Sequence, residues 1–298
     1  MPAAPRPPVS AFQVLGGATD VRCGLGECPT WDSAHERLYW VDIPCGAVHC
    51  IDGSERHSVW HHHDSVSAVA PRAGAGLAFV TCDAIGLSDG FGENPRLVRI
   101  PVRANTCAND AKCDRRGRLW LGSKVRRQGA RTASLLRIDP SGKARAMVHG
   151  LGMANGLGWS PDDQVFYLVD SAAGAIYAFG FDIESGELGQ RGLFVHVPAD
   201  TGIPDGLAVD ANGYVWVALW GAGKLHRYAP DGRLDCSLEV PAPQVTSCAF
   251  GGPGLDRLYV TSARASLSER DRRRQPRSGA VFVADVQAPG TPVGGFGG

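Results

Sequence analysis

Long apolar runs are missing from this chain: no stretch approaches the roughly 18 consecutive apolar residues that crossing a bilayer requires. An excess of either charge is missing too. Thirty Lys and Arg balance thirty Asp and Glu, for a formal net charge of zero, which leaves no electrostatic footprint for nucleic acid. The one basic run, RDRRRQPR at residues 270–277, has no aromatic company and reads as a solvated loop. The opening MPAAPRPPVSAF lacks a charged n-region and an apolar h-region, so it does not read as a signal peptide. Nine cysteines, an odd number without C-x-x-C spacing, read as reduced thiols of a cytoplasmic protein. There is no G-x-S-x-G elbow for a serine hydrolase. No glycine-rich phosphate loop or dinucleotide fingerprint opens a helix. The expectation is a protein with neither membrane nor nucleic-acid partner, monomeric or weakly oligomeric.

Helical periodicity is equally scarce, and what takes its place is a repeat. Short aromatic strands recur as RLYWVDI, GLAFVT, RLWLGS, VFYLVD, YVWVAL and RLYVTS, centred on Trp40, Phe79, Trp120, Tyr167, Trp216 and Tyr259. The centres lie roughly 40 to 50 residues apart, the period of a propeller blade. The segments that follow them, GAVHCID, PRLVRIP, SLLRIDPSGK, AIYAFGFDIESGEL, KLHRYAPDGRL and AVFVADV, alternate apolar and polar residues at the strand period of two. Asp-Pro-Ser-Gly and Pro-Asp-Gly then supply tight turns. The pattern predicts an all-β fold: a six-bladed β-propeller of four-stranded antiparallel blades around a central channel, one domain over 1–298. Residues 1–10 read as a flexible tail, and residues 10–22 as a strand closing the ring on the last blade.

Each aromatic centre is preceded, about a dozen positions earlier, by a polar residue ahead of an apolar strand. These are Glu27, Ser67, Asn109, Asn155, Asp205 and Ser247. The first strand of each blade lines the channel, so these residues converge near the axis. Asn-Gly and Asp-Gly are also ordinary turn signals, but turn chemistry does not account for Glu27, followed by Cys28 and Pro29 in the same register. Carboxylates and amides crowded together need a cation, and hard oxygen donors without thiolate or imidazole suit Ca²⁺, Mg²⁺ or Mn²⁺. The run His61, His62, His63 reads as polar outer strand, since alternating side chains cannot all face one ion. Trp220 reads either as a lining of the pocket mouth or as a packed aromatic between blades.

At LGECPTWD, NDAKCDRRGRLWLGS, ANGLGWSPDDQVFYLVDS, GIPDGLAVDANGYVWVALWGAGKLHRY and TSCAFGG the sequence resembles the SMP-30/regucalcin/gluconolactonase family of six-bladed propellers. The resemblance runs in family order from about residue 20 to the C-terminus. It implies a metal-dependent hydrolase that opens a sugar-derived lactone, with one divalent ion (Ca, Zn, Mn, Mg or Fe). Glu27, Asn155 and Asp205 are implied as the metal ligands, with Asp205 also the general acid/base. Asn109 is implied as a substrate contact, with Asp110 beside it. Two departures concern the substrate: Cys107 stands where the family often has Arg, and GSKVRRQ places Lys124 and Arg127 near the position of a substrate-binding Glu. Lys124, Arg126 or Arg127 point to an acidic or otherwise altered substrate. Two other readings are a non-catalytic propeller with a structural or regulatory ion, and an organophosphate or other ester hydrolase on the same scaffold.

Overall fold

The computed structural model describes residues 9–127 and 129–298. It is a six-bladed β-propeller, each blade a four-stranded antiparallel sheet. A short strand β1 (Gln13–Val14) comes first. Blade 1 holds β2 (Gly26–Asp32), β3 (Arg37–Asp42), β4 (Ala47–Ile51) and β5 (His57–His61); blade 2 holds β6 (Ala68–Pro71), β7 (Leu77–Val80), β8 (Ala84–Ser88) and β9 (Arg96–Arg99). Blade 3 has β10 (Thr106–Cys113), β11 (Leu119–Val125), β12 (Ala133–Ile138) and β13 (Ala144–Leu151); blade 4 has β14 (Ala154–Trp159), β15 (Val165–Asp170), β16 (Ala175–Asp182) and β17 (Glu187–His196). Blade 5 comprises β18 (Ile203–Val209), β19 (Val215–Trp220), β20 (Lys224–Tyr228) and β21 (Leu234–Glu239), and blade 6 comprises β22 (Val245–Gly251), β23 (Arg257–Ser262), β24 (Phe282–Asp285) and the returning β1. The inner strands β2, β6, β10, β14, β18 and β22 contact one another in a closed ring.

The repeat has a local cause. The six aromatic centres lie on the second strands and are all buried, from 0% exposed at Trp40 and Trp120 to 5% at Tyr167. In blades 3 and 5 the turn before that strand is organised by a buried carboxylate. Asp114 Oδ1 accepts from the backbone of Arg116 and Arg118, while Oδ2 accepts from Trp120 Nε1 at 2.8 Å. Asp210 does the same with Asn212, Tyr214 and, at 3.0 Å, Trp216 Nε1. An ion pair neutralises each: Arg118 with Asp114 at 2.6 Å and Arg227 with Asp210 at 2.9 Å. Apolar side chains facing between adjacent blades form the core clusters, where burial contributes about 25 cal/mol per Å² of apolar surface.

The ring closes as the sequence predicts. β1 pairs antiparallel with β24, Gln13 opposite Val283 and Val14 opposite Phe282. Of the expected N-terminal tail, residues 1–8 lie outside the described residues; Val9 bridges Val286 and Ser10 N–H donates to the Asp285 carbonyl, so the pairing reaches further than expected. The C-terminal segment crosses one end of the channel: Thr291, Pro292 and Val293 lie against the far ends of the inner strands. Phe296, 2% exposed, enters the core beside blades 2 and 3.

Two local expectations change. PRLVRIP forms the fourth strand of blade 2, not the third. The third, β8, has no polar residue before Ser88 at its end and so shows no alternation to read. The basic run is not a loop throughout: residues Glu269–Arg274 form a helix, α1, with Ser268 as N-cap accepting from the Asp271 N–H, the usual role of serine there. Among the described residues no helix is long and apolar enough to cross a membrane.

Candidate functional site

Glu27, Asn109, Asn155 and Asp205 occupy the early parts of the inner strands β2, β10, β14 and β18, and all four line one cavity of ≈ 340 Å³. It opens at the end of the channel away from the C-terminal crossing. The strand registers explain why these side chains face inward. In each of the four blades the inner strand carries one residue too many against its neighbour, between Glu27 and Thr30, Ala108 and Ala111, Ala154 and Leu157, and Pro204 and Leu207. Such a bulge bends the strand and re-aims a side chain. Blade 2 pairs without a shift, and Ser67 does not line the cavity; blade 6 has a shift placed earlier relative to its polar residue, between Val245 and Ser247, and Ser247 does not line the cavity either. The polar register is therefore shared by six blades, and four bring it to the site.

Hydrogen bonds tie these residues together across blades. Asn109 Nδ2 donates to Asn155 Oδ1 at 3.0 Å and to the Ala154 carbonyl at 3.1 Å. Asn155 Nδ2 donates to Asp205 Oδ1 and, at 3.1 Å, to Ser171 Oγ. Ser171 Oγ donates to the Pro204 carbonyl at 2.6 Å. The approach loops are held from behind: Asp42 accepts from the N–H groups of Gly24 and Leu25, both at 2.9 Å. Asp170 accepts from Gly152 and, at 3.0 Å, Met153. Fixing the residues just before Glu27 and Asn155 pre-positions both side chains.

Burial raises the Glu27 carboxyl well above its ordinary value, and the charges of Asp205 and Asp110 push the same way; the Cys28 N–H, donating to Glu27 Oε2 at 3.2 Å, and Lys124 oppose them. Asp205 is also raised well above its ordinary value, by burial and then by Asp110, with Lys124 opposing. Like charges in a desolvated space disfavour joint ionisation. A divalent ion would relieve that conflict, and the donor set fits one: two carboxylates and two amides, all oxygen-bearing, at the base of an open cavity.

The remaining sequence-predicted residues divide. Lys124 is half-buried on the cavity wall, and Trp220 also lines it. Asp110 is buried beneath, where the Ala111 N–H donates to its Oδ1 at 2.8 Å, and burial raises its carboxyl while Lys112 opposes. Cys107 is half-buried opposite Lys124 in the β10–β11 pairing but does not line the cavity; its thiol is pushed up to about 12 by burial and by Cys82. Arg127 is exposed and outside the lining. β5 ends at His61, so strand alternation does not govern the rest of the histidine run. His62, His63 and Asp64 do approach one another within 4.8 Å. His62 Nδ1 is taken by the Asp64 N–H at 3.1 Å. Ser171 and the apolar rim of Leu25, Ile43, Met153 and Ile203 were not anticipated. Ser171 directly follows the fourth aromatic strand, but no periodic signal separates it from loop.

Residues 25–264 match the family described as the SMP-30/gluconolactonase/LRE-like region. A pentonolactonase, XacC, of Haloferax volcanii is 37% identical, covering 92% of this chain and 94% of the relative. A 6-deoxy-6-sulfogluconolactonase of Pseudomonas putida is 33% identical, covering 89% of this chain and 92% of the relative. A solved structure described as a calcium-binding protein, regucalcin, from Agrobacterium tumefaciens has a TM-score of 0.88 at 27% identity, covering 96% of this chain and 97% of that one.

Proposed function

The chain belongs to the SMP-30/gluconolactonase/LRE-like family, and from that premise we propose that it is a metal-dependent lactonase that hydrolyses a sugar-derived lactone to its aldonic acid. The observation that carries the reading is the convergence of Glu27, Asn155 and Asp205 at the base of one open cavity, with Asn109 bonded to Asn155. The relatives named as lactonases support the substrate class, and the calcium-binding description of the Agrobacterium structure supports the ion. Space above the donors favours an enzyme over a structural ion, because a structural site closes its coordination sphere whereas a catalytic one keeps a position open.

Glu27, Asn155 and Asp205 would hold one divalent ion, which when bound polarises a carbonyl and acidifies water. Asp205 takes the proton of the attacking water and returns it to the ring oxygen that leaves as the alcohol. Its carboxylate is fixed for this by the Asn155 amide, and Asn155 in turn by Asn109 and Ser171. Asn109 presents a polar group to the cavity beside the reacting centre, and Leu25, Ile43, Ile203 and Trp220 enclose the substrate at the rim.

The test is lactone hydrolysis followed with a pH indicator. Gluconolactone, galactonolactone, xylonolactone and arabinonolactone are offered to metal-stripped protein with and without Ca²⁺, Mn²⁺, Mg²⁺, Zn²⁺ or Fe²⁺. Turnover that requires an ion is the expected result. Tight ion binding without turnover of any lactone would assign the ion a structural role instead.

A further inference from the structure

Lys124 is the one cation on the cavity wall among the described residues. It sits on β11, paired with Cys107 of β10 and bridged to Met153 at the start of blade 4. Its ammonium makes no hydrogen bond or close ion pair with another described residue, although it acts electrostatically on Glu27 and Asp205. The neighbouring basic side chains are differently employed. Arg126 donates to Cys82 Sγ at 2.7 Å, and Arg131 pairs with Asp170 at 3.0 Å. Lys112 donates to the Leu207 carbonyl at 2.8 Å, below the cavity, where its charge opposes that of Asp110.

The charge balance therefore leaves one cation over. With a divalent ion held by Glu27 and Asp205, those two carboxylates are matched, and Lys112 offsets Asp110. Lys124 then faces the cavity as an unmatched positive charge, half removed from water. In that position it offers an incoming anion a charge-assisted partner that no described side chain already occupies. The rest of the rim is apolar: Leu25 and Ile43 from blade 1, Ile203 and Trp220 from blade 5. Any anion entering the cavity is thus directed to the blade 3 wall, away from the rim that covers an uncharged ring.

We propose that Lys124 makes this cavity selective for anionic lactones, those carrying a carboxylate, sulfonate or phosphate remote from the reacting carbonyl. The inference rests on the lactonase reading and adds the substrate's charge to it. Lys124 is a specificity residue, holding the part of the substrate that does not react. A charge-assisted hydrogen bond made equally in ground and transition states acts mainly on KM.

The experiment compares gluconolactone with the lactone of the corresponding dicarboxylic sugar acid and with the lactone phosphorylated at its terminal carbon, all on the ion-loaded protein. The expected result is a KM about tenfold or more lower for at least one charged lactone, a difference that shrinks with added salt. Lys124→Met should remove that preference and Lys124→Arg should retain most of it, with thermal melts confirming that both variants fold. Whichever charged lactone is preferred identifies the anionic group. Equal KM for neutral and charged lactones, or a preference that survives Lys124→Met, would overturn the proposal. Calorimetric binding of the ring-opened acids, gluconate against glucarate, separates this inference from the reading beneath it. If no lactone is hydrolysed, the lactonase reading fails. Tighter glucarate binding that Lys124→Met abolishes would still support an anion site at Lys124, and equal binding of the two acids would refute it.

Discussion

At Gly206 an added Cβ would stand 2.0 Å from Ser247 Oγ and 2.7 Å from Ser247 Cα; at Gly156 it would stand 2.4 Å from the Leu207 nitrogen. Both glycines lie inside inner strands, β14 and β18, rather than in turns. Neighbouring inner strands come so close at the axis that only hydrogen fits on those α-carbons, so Asn155-Gly156 and Asp205-Gly206 are strand dipeptides. The sequence signal was real, but its usual cause was not the one at work. Gly206→Ala should lower stability by about 3 kcal/mol and weaken divalent-ion binding, because Asp205 precedes the displaced residue. Chemical denaturation and an ion titration check the two effects; an unchanged midpoint and affinity would mean that the ring tolerates a wider inner circle.

Among the elements, the second strands were legible because each carries a buried aromatic at a regular interval, anchored in blades 3 and 5 by a carboxylate that accepts the tryptophan N–H. The polar residues ahead of them were legible for the same reason. Strand β8 was not, because it carries no polar residue before Ser88 at its end, whereas the equally buried β4 and β12 carry His49 and Arg137 within their length. The bulges were also hidden: one extra residue reverses the phase of an alternation, but inner strands such as β14 and β18 are buried on both faces and carry no alternation in which to read it. Nor did composition reveal the C-terminal crossing, which is held by backbone bonds such as Phe296 N–H to the Pro71 carbonyl and Gly297 N–H to the Gly117 carbonyl. Phe296 is the side-chain anchor of that segment. Phe296→Ala should lower stability by about 3–5 kcal/mol, seen as a lower melting temperature. The folded fraction should retain its lactone kinetics, because the cavity opens at the other end of the channel. A change in KM without loss of stability would contradict that separation.

For the molecule as a whole, the buried carboxyls of the site oppose stability once they ionise. Glu27 and Asp205 both have folded-state pKa values raised above their unfolded values, by burial first and then by neighbouring carboxylates. The folded state therefore holds those protons more tightly. The favourable contribution is fully present below the ordinary carboxylate value and is lost as pH rises from there through the raised values. In metal-stripped protein, Asp205→Asn should then be more stable than wild type near neutral pH, with a margin that widens as pH rises above the ordinary carboxylate value. A divalent ion should reverse the order, stabilising wild type strongly and the variant little. Melting curves with and without ion, at several pH values, measure this; a variant that is never the more stable of the two would refute the electrostatic account.

The claim on which the rest depends is that one divalent ion held by Glu27, Asn155 and Asp205 makes this propeller a lactonase. Its most direct test is turnover of the best lactone by metal-stripped protein, titrated with the activating ion and compared with Asp205→Ala. The account predicts activity that rises to a break at one ion per chain and is absent from the variant at every ion concentration. Activity that persists in metal-stripped protein, or that Asp205→Ala retains, would contradict it.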